Sequence, residues 1–188
     1  LFKQLAGEAD VILETFNPGY MESLGLSYDD LKQSNPGLIM CSLTPFGQTG
    51  PWRDYATSDL LHLAAGGQMA CCGYTVGDVP DAPPIAGGGG QAWHIGSHFS
   101  YIAIAAALLR RSVTGEGQYL DVSVHDSCAL TTEAHVNTYI YTGQTVQRQT
   151  GRHASAMPTD LTQHICADGR YINVAAQILN RLTLERLQ

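Results

Sequence analysis

Positive charge is what this chain has least of. Ten Lys plus Arg stand against 17 Asp plus Glu, giving a formal net charge of −7, and no basic block occurs. That balance argues against nucleic acid or an anionic membrane surface as the main partner. Long apolar runs are missing too: the longest strongly apolar stretch, Tyr101 to Leu109, is far short of the roughly 20 residues a membrane span needs. No signal peptide is visible, and Leu1 stands where a methionine would open a chain. There is no CxxC pair; Cys41, Cys71, Cys72, Cys128 and Cys166 form an odd set with two adjacent members. Such usage fits a reducing, cytoplasmic setting better than a disulfide framework, with the cysteines as small core residues. The most specific absence is acidic: between Asp81 and Glu116 there is no Asp or Glu at all.

What is present suffices for one respectable core and the start of a second domain, with 188 residues of which 44% are hydrophobic. "ADVILETF" (Ala9 to Phe16) and "LIMCSLTPF" (Leu38 to Phe46) contain apolar runs of strand length. Between them Ser27 is placed to cap a helix with Asp30 three residues on, and Pro36 stops that helix. Strand, crossover helix and strand make a βαβ unit, which predicts buried parallel strands. A "GQTGPW" turn follows, then an apolar helix over Thr57 to Cys72, a Pro/Gly loop and the stretch "GGGGQAWHIGSHFSYIAIAAALLRR" at 87 to 111. The last reads as a glycine-rich loop entering a long apolar helix. A strand "YLDVSV" and a helix from about Asp126 to Tyr141 complete an α/β pattern.

Thr142 to Pro158 is polar and without period, which predicts a linker between a large domain at 1–141 and the start of a smaller α+β domain at 159–188. In the latter, Asp168-Gly169 between two runs of strand character predicts a β-hairpin, and a helix-like pattern reaches Gln188. A hairpin and half a helix do not finish a domain, so the chain is expected to be a fragment.

Three motifs in order, "ETFNPG", "PFGQTGP" and "LLRRSVTGEGQYLDVSV", resemble the class III CoA-transferases, the CaiB/BaiF family. The resemblance runs over nearly the whole chain, "CADGRYINVA" included. It implies a Rossmann-like parallel-sheet large domain, an interlocked dimer in the full-length protein, and transfer of coenzyme A between an acyl-CoA and a carboxylic acid. It implies no covalently bound cofactor and no metal; CoA and acyl-CoA are substrates. The family's nucleophile is an aspartate that attacks the thioester, giving a mixed anhydride and CoA thiolate, and then an enzyme-CoA thioester. A helix N-terminus suits such a group, because its free N–H groups and dipole favour an anion.

Ungapped alignment of the helix puts that aspartate at Trp93, and the acid-free stretch leaves no neighbour to replace it. The resemblance implies a CoA-contacting turn at Thr15, Phe16, Asn17, Pro18 and Gly19, with Phe16 available to stack on adenine. Asn17 and Ser23 stand where relatives often carry basic residues, so CoA phosphates would rely on backbone N–H groups or on cations elsewhere. Asp59, His62 and Gln91 are expected to line the substrate pocket. His62, Met69, Trp93 and Phe99 suggest an apolar lining. In the related α-methylacyl-CoA racemases the aspartate aligns with the same Trp93 and the histidine base near Ser58, which leaves a two-base reaction short of its bases.

His94 and His98, four apart on one helix face, can be structural or can line a pocket. They have neither an HExxH pattern nor a third metal ligand beside them. His94 is also a candidate replacement nucleophile. Gly87 to Gly90 lacks the lysine of a phosphate loop and suggests flexible access or close packing. Asp121 is expected in a strand, and Asp126 as the N-cap of the next helix. Tyr139, Tyr141, Arg148 and Arg152, near the linker, are expected either to line the cleft between the domains or to lie on solvated surface. Three functions follow: a CoA-transferase; a non-catalytic subunit of a heteromeric one, as in family members that work as unlike pairs; or an acyl-CoA-binding protein without turnover.

Overall fold

A computed structural model of the chain describes residues 1–75, 77–132 and 135–174. These fall into two compact units, one formed by 1–66 with 87–131 and the other by the described residues of 67–86 and 132–174. The division differs from the boundaries read in sequence: the segments 67–86 and 132–141, assigned there to the large domain, cluster with the second unit.

The first unit is built on three parallel strands, β1 (Val11–Glu14), β2 (Ile39–Thr44) and β3 (Gln118–Ser123), in the order β1-β2-β3. The central strand is almost wholly buried, as a continuous apolar run in a parallel sheet should be. Its side chains alternate between two covered faces. Met40 joins Ala6, Met21, Leu31 and Leu38 in a cluster with α1 (Phe2–Glu8), α2 (Tyr20–Ser23) and α3 (Tyr28–Leu31). Cys41 turns the other way and meets Ser100 of α6 (Gln91–Thr114). Within the β1–β2 connection α3 is capped as the sequence predicts: the Ser27 side chain accepts from the Asp30 N–H, and the Asp30 carboxylate accepts from the Ser27 N–H.

The helices that follow β2 and β3 in the chain differ in part from the sequence expectation. The expected helix over Thr57 to Cys72 divides at Gly66-Gly67, where Gly67 has φ +92°, into α4 (Asp59–Ala65) and α5 (Gln68–Cys71). The expected helix over Asp126 to Tyr141 is likewise two, α7 (Val124–Leu130) and α8 (His135–Thr142). Asp126 is not the cap of α7; Ser123 is, its hydroxyl accepting from the Asp126 N–H at 3.1 Å. At 24 residues α6 is much longer than the apolar stretch visible in sequence, and among the described residues it is the one helix long and apolar enough, by length and composition, to cross a membrane. Here it packs on β2, β3, α4 and α7.

The second unit holds α5, α8 and a hairpin of β4 (Gln163–Ile165) and β5 (Tyr171–Asn173), antiparallel about the predicted Asp168-Gly169 turn. The polar stretch 142–158 is more ordered than a linker: Gln147 and Ser155 exchange backbone hydrogen bonds in an antiparallel bridge. Of the cysteines only Cys41 and Cys128 are buried; Cys72 and Cys166 are exposed and Cys71 lies between, so the core reading holds for two of the five. The helix-like pattern toward Gln188 lies outside the described residues.

Candidate functional site

A cleft of about 390 Å³ opens at the carboxyl ends of the strands in the first unit, lined by Thr15, Leu43, Thr44, Pro45, Trp93, Ser97 and Val124. This is where open α/β sheets bind ligands, because loops diverge there and helix N-termini point in. Gly96 makes the approach possible: a Cβ there would lie 3.0 Å from Val124 Cγ2 and 3.3 Å from Leu43 Cδ1. At the floor, Thr44 Oγ1 is buried and has no hydrogen-bond partner among the described residues.

Trp93 is the aromatic wall. It is 41% exposed, so it lines the cleft rather than filling a buried volume. His62 meets it edge-on, ring centroids 5.3 Å apart at 81°. His62 is fully buried behind it, 2.7 Å from Thr57 Oγ1 through Nε2, while its Nδ1 has no partner among the described residues. Burial holds the His62 imidazole below its ordinary pKa; His125 lowers it further and Asp59 opposes. Phe46 ties this group together, with His62 at 5.1 Å, His125 at 5.6 Å and Trp52 at 6.0 Å between ring centroids.

The N-terminus of α6 already carries an anion. Gly90, in the left-handed region at φ +72°, is the N-cap and offers no side chain. Asp59, at the start of α4, supplies the acceptor: its Oδ1 takes the Ala92 N–H at 2.7 Å. Asp59 is therefore engaged as a cap from a neighbouring helix, and is not among the cleft-lining residues. Ser58, where the racemase pattern has its base, caps α4 itself by accepting from the Leu61 N–H.

The structure distributes the remaining sequence-derived candidates as follows. Thr15 lines the cleft, and Phe16 meets Tyr20 on the surface with ring centroids 4.9 Å apart and tilted by 44°. The turn through Asn17, Pro18 and Gly19 is locked by the Gly19 N–H donating to Gln48 Oε1 and by Arg53 donating to the Pro18 carbonyl. His94 and Gln91 are exposed and do not line the cleft; His98 lies 2.7 Å through Nδ1 from the His94 carbonyl. Among the described residues no group of three or more His, Cys, Asp or Glu is arranged to hold a metal. Met69 belongs to the second unit and Phe99 is not part of the lining.

Sequence reading missed a polar relay at the strand ends. Glu14, nearly buried, accepts from the Phe16 N–H at 2.8 Å, and Gln48 bridges from Glu14 to Asp121, whose carboxylate takes the Gln48 N–H at 3.0 Å. It also missed Arg53, which brings to the Phe16–Gly19 turn the cation absent from Asn17 and Ser23. The spans joining these residues, up to 73 positions, carry no local sequence signal.

Over residues 1–182 the sequence matches CoA-transferase family III. It is 35% identical over 164 residues to an acetyl-CoA:oxalate CoA-transferase of Acetobacter aceti, covering 87% of this chain and 41% of that protein. It is also 35% identical over 176 residues to the subunit BbsE of a succinyl-CoA:(R)-benzylsuccinate CoA-transferase of Thauera aromatica, covering 94% of this chain and 40% of that protein. Among solved structures, a CAIB/BAIF family protein from Brucella suis superposes with a TM-score of 0.72 at 35% identity, over 79% of this chain and 38% of that one. The chain thus spans about 40% of the length of the relatives it matches.

Proposed function

The chain belongs to CoA-transferase family III, and on that premise we propose that the protein containing it transfers CoA between an acyl-CoA and a carboxylic acid, in an assembly whose nucleophilic carboxylate comes from another chain. The observation that carries this reading is the lining of the strand-end cleft. It has an aromatic wall, two threonines and a serine, and no carboxylate, and the acid nearest in function, Asp59, is spent on the Ala92 N–H. The chain then contributes surface: Trp93 and Val124 pack against the acyl portion. Transfer itself needs a carboxylate to attack the thioester and release CoA thiolate, and a donor to steady the oxyanion.

Relatives named as subunits support an assembly of unlike chains: one is named as subunit BbsE, and others as alpha and beta subunits of a succinyl-CoA–L-malate CoA-transferase of Chloroflexus aurantiacus. An interlocked dimer with a paralogous chain is the assembly this reading requires. Cysteine usage, an odd set without CxxC spacing, supports a cytoplasmic setting as part of the same proposal. The test is exchange of a labelled carboxylic acid into acyl-CoA by the full-length protein, alone and then with a paralogue that keeps the aspartate. Silence alone and exchange in the mixture are expected; exchange by the protein alone overturns the reading.

A further inference from the structure

The second unit contains a cleft of a different kind. It measures about 430 Å³ and is lined by residues of the polar stretch 147–158 with Thr75 and Asp78. Two guanidinium groups line it, Arg148 and Arg152. Every other described arginine has a carboxylate close by: Arg53 with Asp54 at 3.5 Å, Arg110 with Glu116 at 3.0 Å, Arg111 with Asp10 at 2.8 Å and Arg170 with Asp168 at 3.6 Å. Arg148 and Arg152 have no ion pair among the described residues. Arg148 donates Nε–H to the Tyr74 carbonyl at 2.9 Å, and Arg152 donates to the Thr159 carbonyl. A guanidinium carries five N–H donors, so most of both forks remain available. Asp78 shares the cleft, but its carboxylate accepts from the Thr150 hydroxyl at 2.5 Å.

The forks are held, not trailing. Gly73, at φ +127°, lets the Arg148 stem pass so closely that a Cβ would meet its Cδ at 3.2 Å. Thr75 and Thr150 exchange bonds, each N–H to the other's hydroxyl oxygen at 2.8 and 2.9 Å. Gln149 spans the loop, donating to the Met157 carbonyl and accepting from the Thr159 N–H. Loss of side-chain entropy on binding is smaller for a guanidinium so fixed.

We propose that Arg148 and Arg152 form an oxyanion-binding subsite, which takes a carboxylate or phosphate group of the transferase's substrates through charge-assisted, forked hydrogen bonds. In a chain of net charge −7, two unpaired guanidiniums facing one cleft are the described feature best suited to an anionic substrate. The assignment of that anion to a substrate rests on the CoA-transferase reading.

Calorimetric titration of the full-length protein with succinate and, separately, with CoA tests it, on wild type, Arg148→Gln, Arg152→Gln and Arg152→Lys. Either Gln variant should weaken one of the two ligands by about tenfold or more, the size of a lost charged hydrogen bond, with Lys restoring part of it. Loss confined to succinate identifies a carboxylate; loss confined to CoA identifies its phosphates. Arg152 is exposed, so its variants remain informative if Arg148→Gln fails to fold. Wild type that binds with all variants unchanged overturns the subsite alone, whereas wild type that binds neither ligand overturns the subsite and the transferase reading together.

Discussion

The two units are held together by different means. In the first, Ala6, Leu38, Ile39, Met40, Cys41, Leu63, Ala107 and Cys128 are all buried around or against the sheet. In the second, Thr132 alone among the described residues is buried, both hairpin strands are exposed, and order comes from side-chain to backbone bonds such as the Thr75–Thr150 pair. Their clefts follow suit: the first is mainly apolar with no carboxylate in its lining, and the second is more polar, lined by two guanidiniums that have no ion pair among the described residues. Burial is non-directional and leaves an apolar wall such as Trp93, while a frame of hydrogen bonds can hold a charged fork at a fixed angle.

Removing burial from the first unit should do the most damage. Leu38→Ala should cost about 2–5 kcal/mol in a denaturant titration, as buried leucines do. Gly117→Ala should be at least as disruptive, because its Cβ would lie 1.9 Å from the Leu38 carbonyl oxygen. A result near zero for either would end the contrast between the units. Next comes the polar frame: Thr150→Val, which removes the acceptor for the Thr75 N–H and the bond to Asp78, should cost about 1–3 kcal/mol. Hydrogen exchange should speed up around Thr75 and Gln149 and stay unchanged in β2.

Within the first unit, Ser27→Ala deletes half of a capping box and should lower stability by about 1 kcal/mol. The smallest effect concerns pH. Because burial lowers the His62 pKa in the folded state, the unfolded chain binds the extra proton first. The stability tied to His62 is therefore present above the unfolded value of about 6.5 and is lost as the pH falls through it toward the lower folded value. Denaturation midpoints should drop on that acid side, and His62→Gln should flatten the slope; an unchanged slope removes His62 as its source.

Legibility in the sequence tracked locality. The βαβ unit, the Ser27 cap, the long helix and the Asp168-Gly169 hairpin were readable because each rests on residues a few positions apart, with period, capping and turn chemistry that propensity captures. Gly66-Gly67 is as local, yet the apolar run on both sides hid the break between α4 and α5. The site was legible only in part. Trp93, singled out in sequence, lines the cleft, but that Asp59 caps α6 from 33 residues away, or that Arg148 leans on Gly73, is decided by tertiary approach. The division into units differs from the sequence boundaries for the same reason, since 67–86 and 132–141 cluster through contacts that no composition change announces.

The central claim is that this chain lines a transferase cleft without supplying its nucleophile. The most direct measurement is intact mass of the full-length protein after incubation with acyl-CoA and no partner, with any adduct mapped by peptide digestion. An unchanged mass is expected. A covalent acyl or CoA adduct on a residue of the strand-end cleft would contradict the account and name the nucleophile.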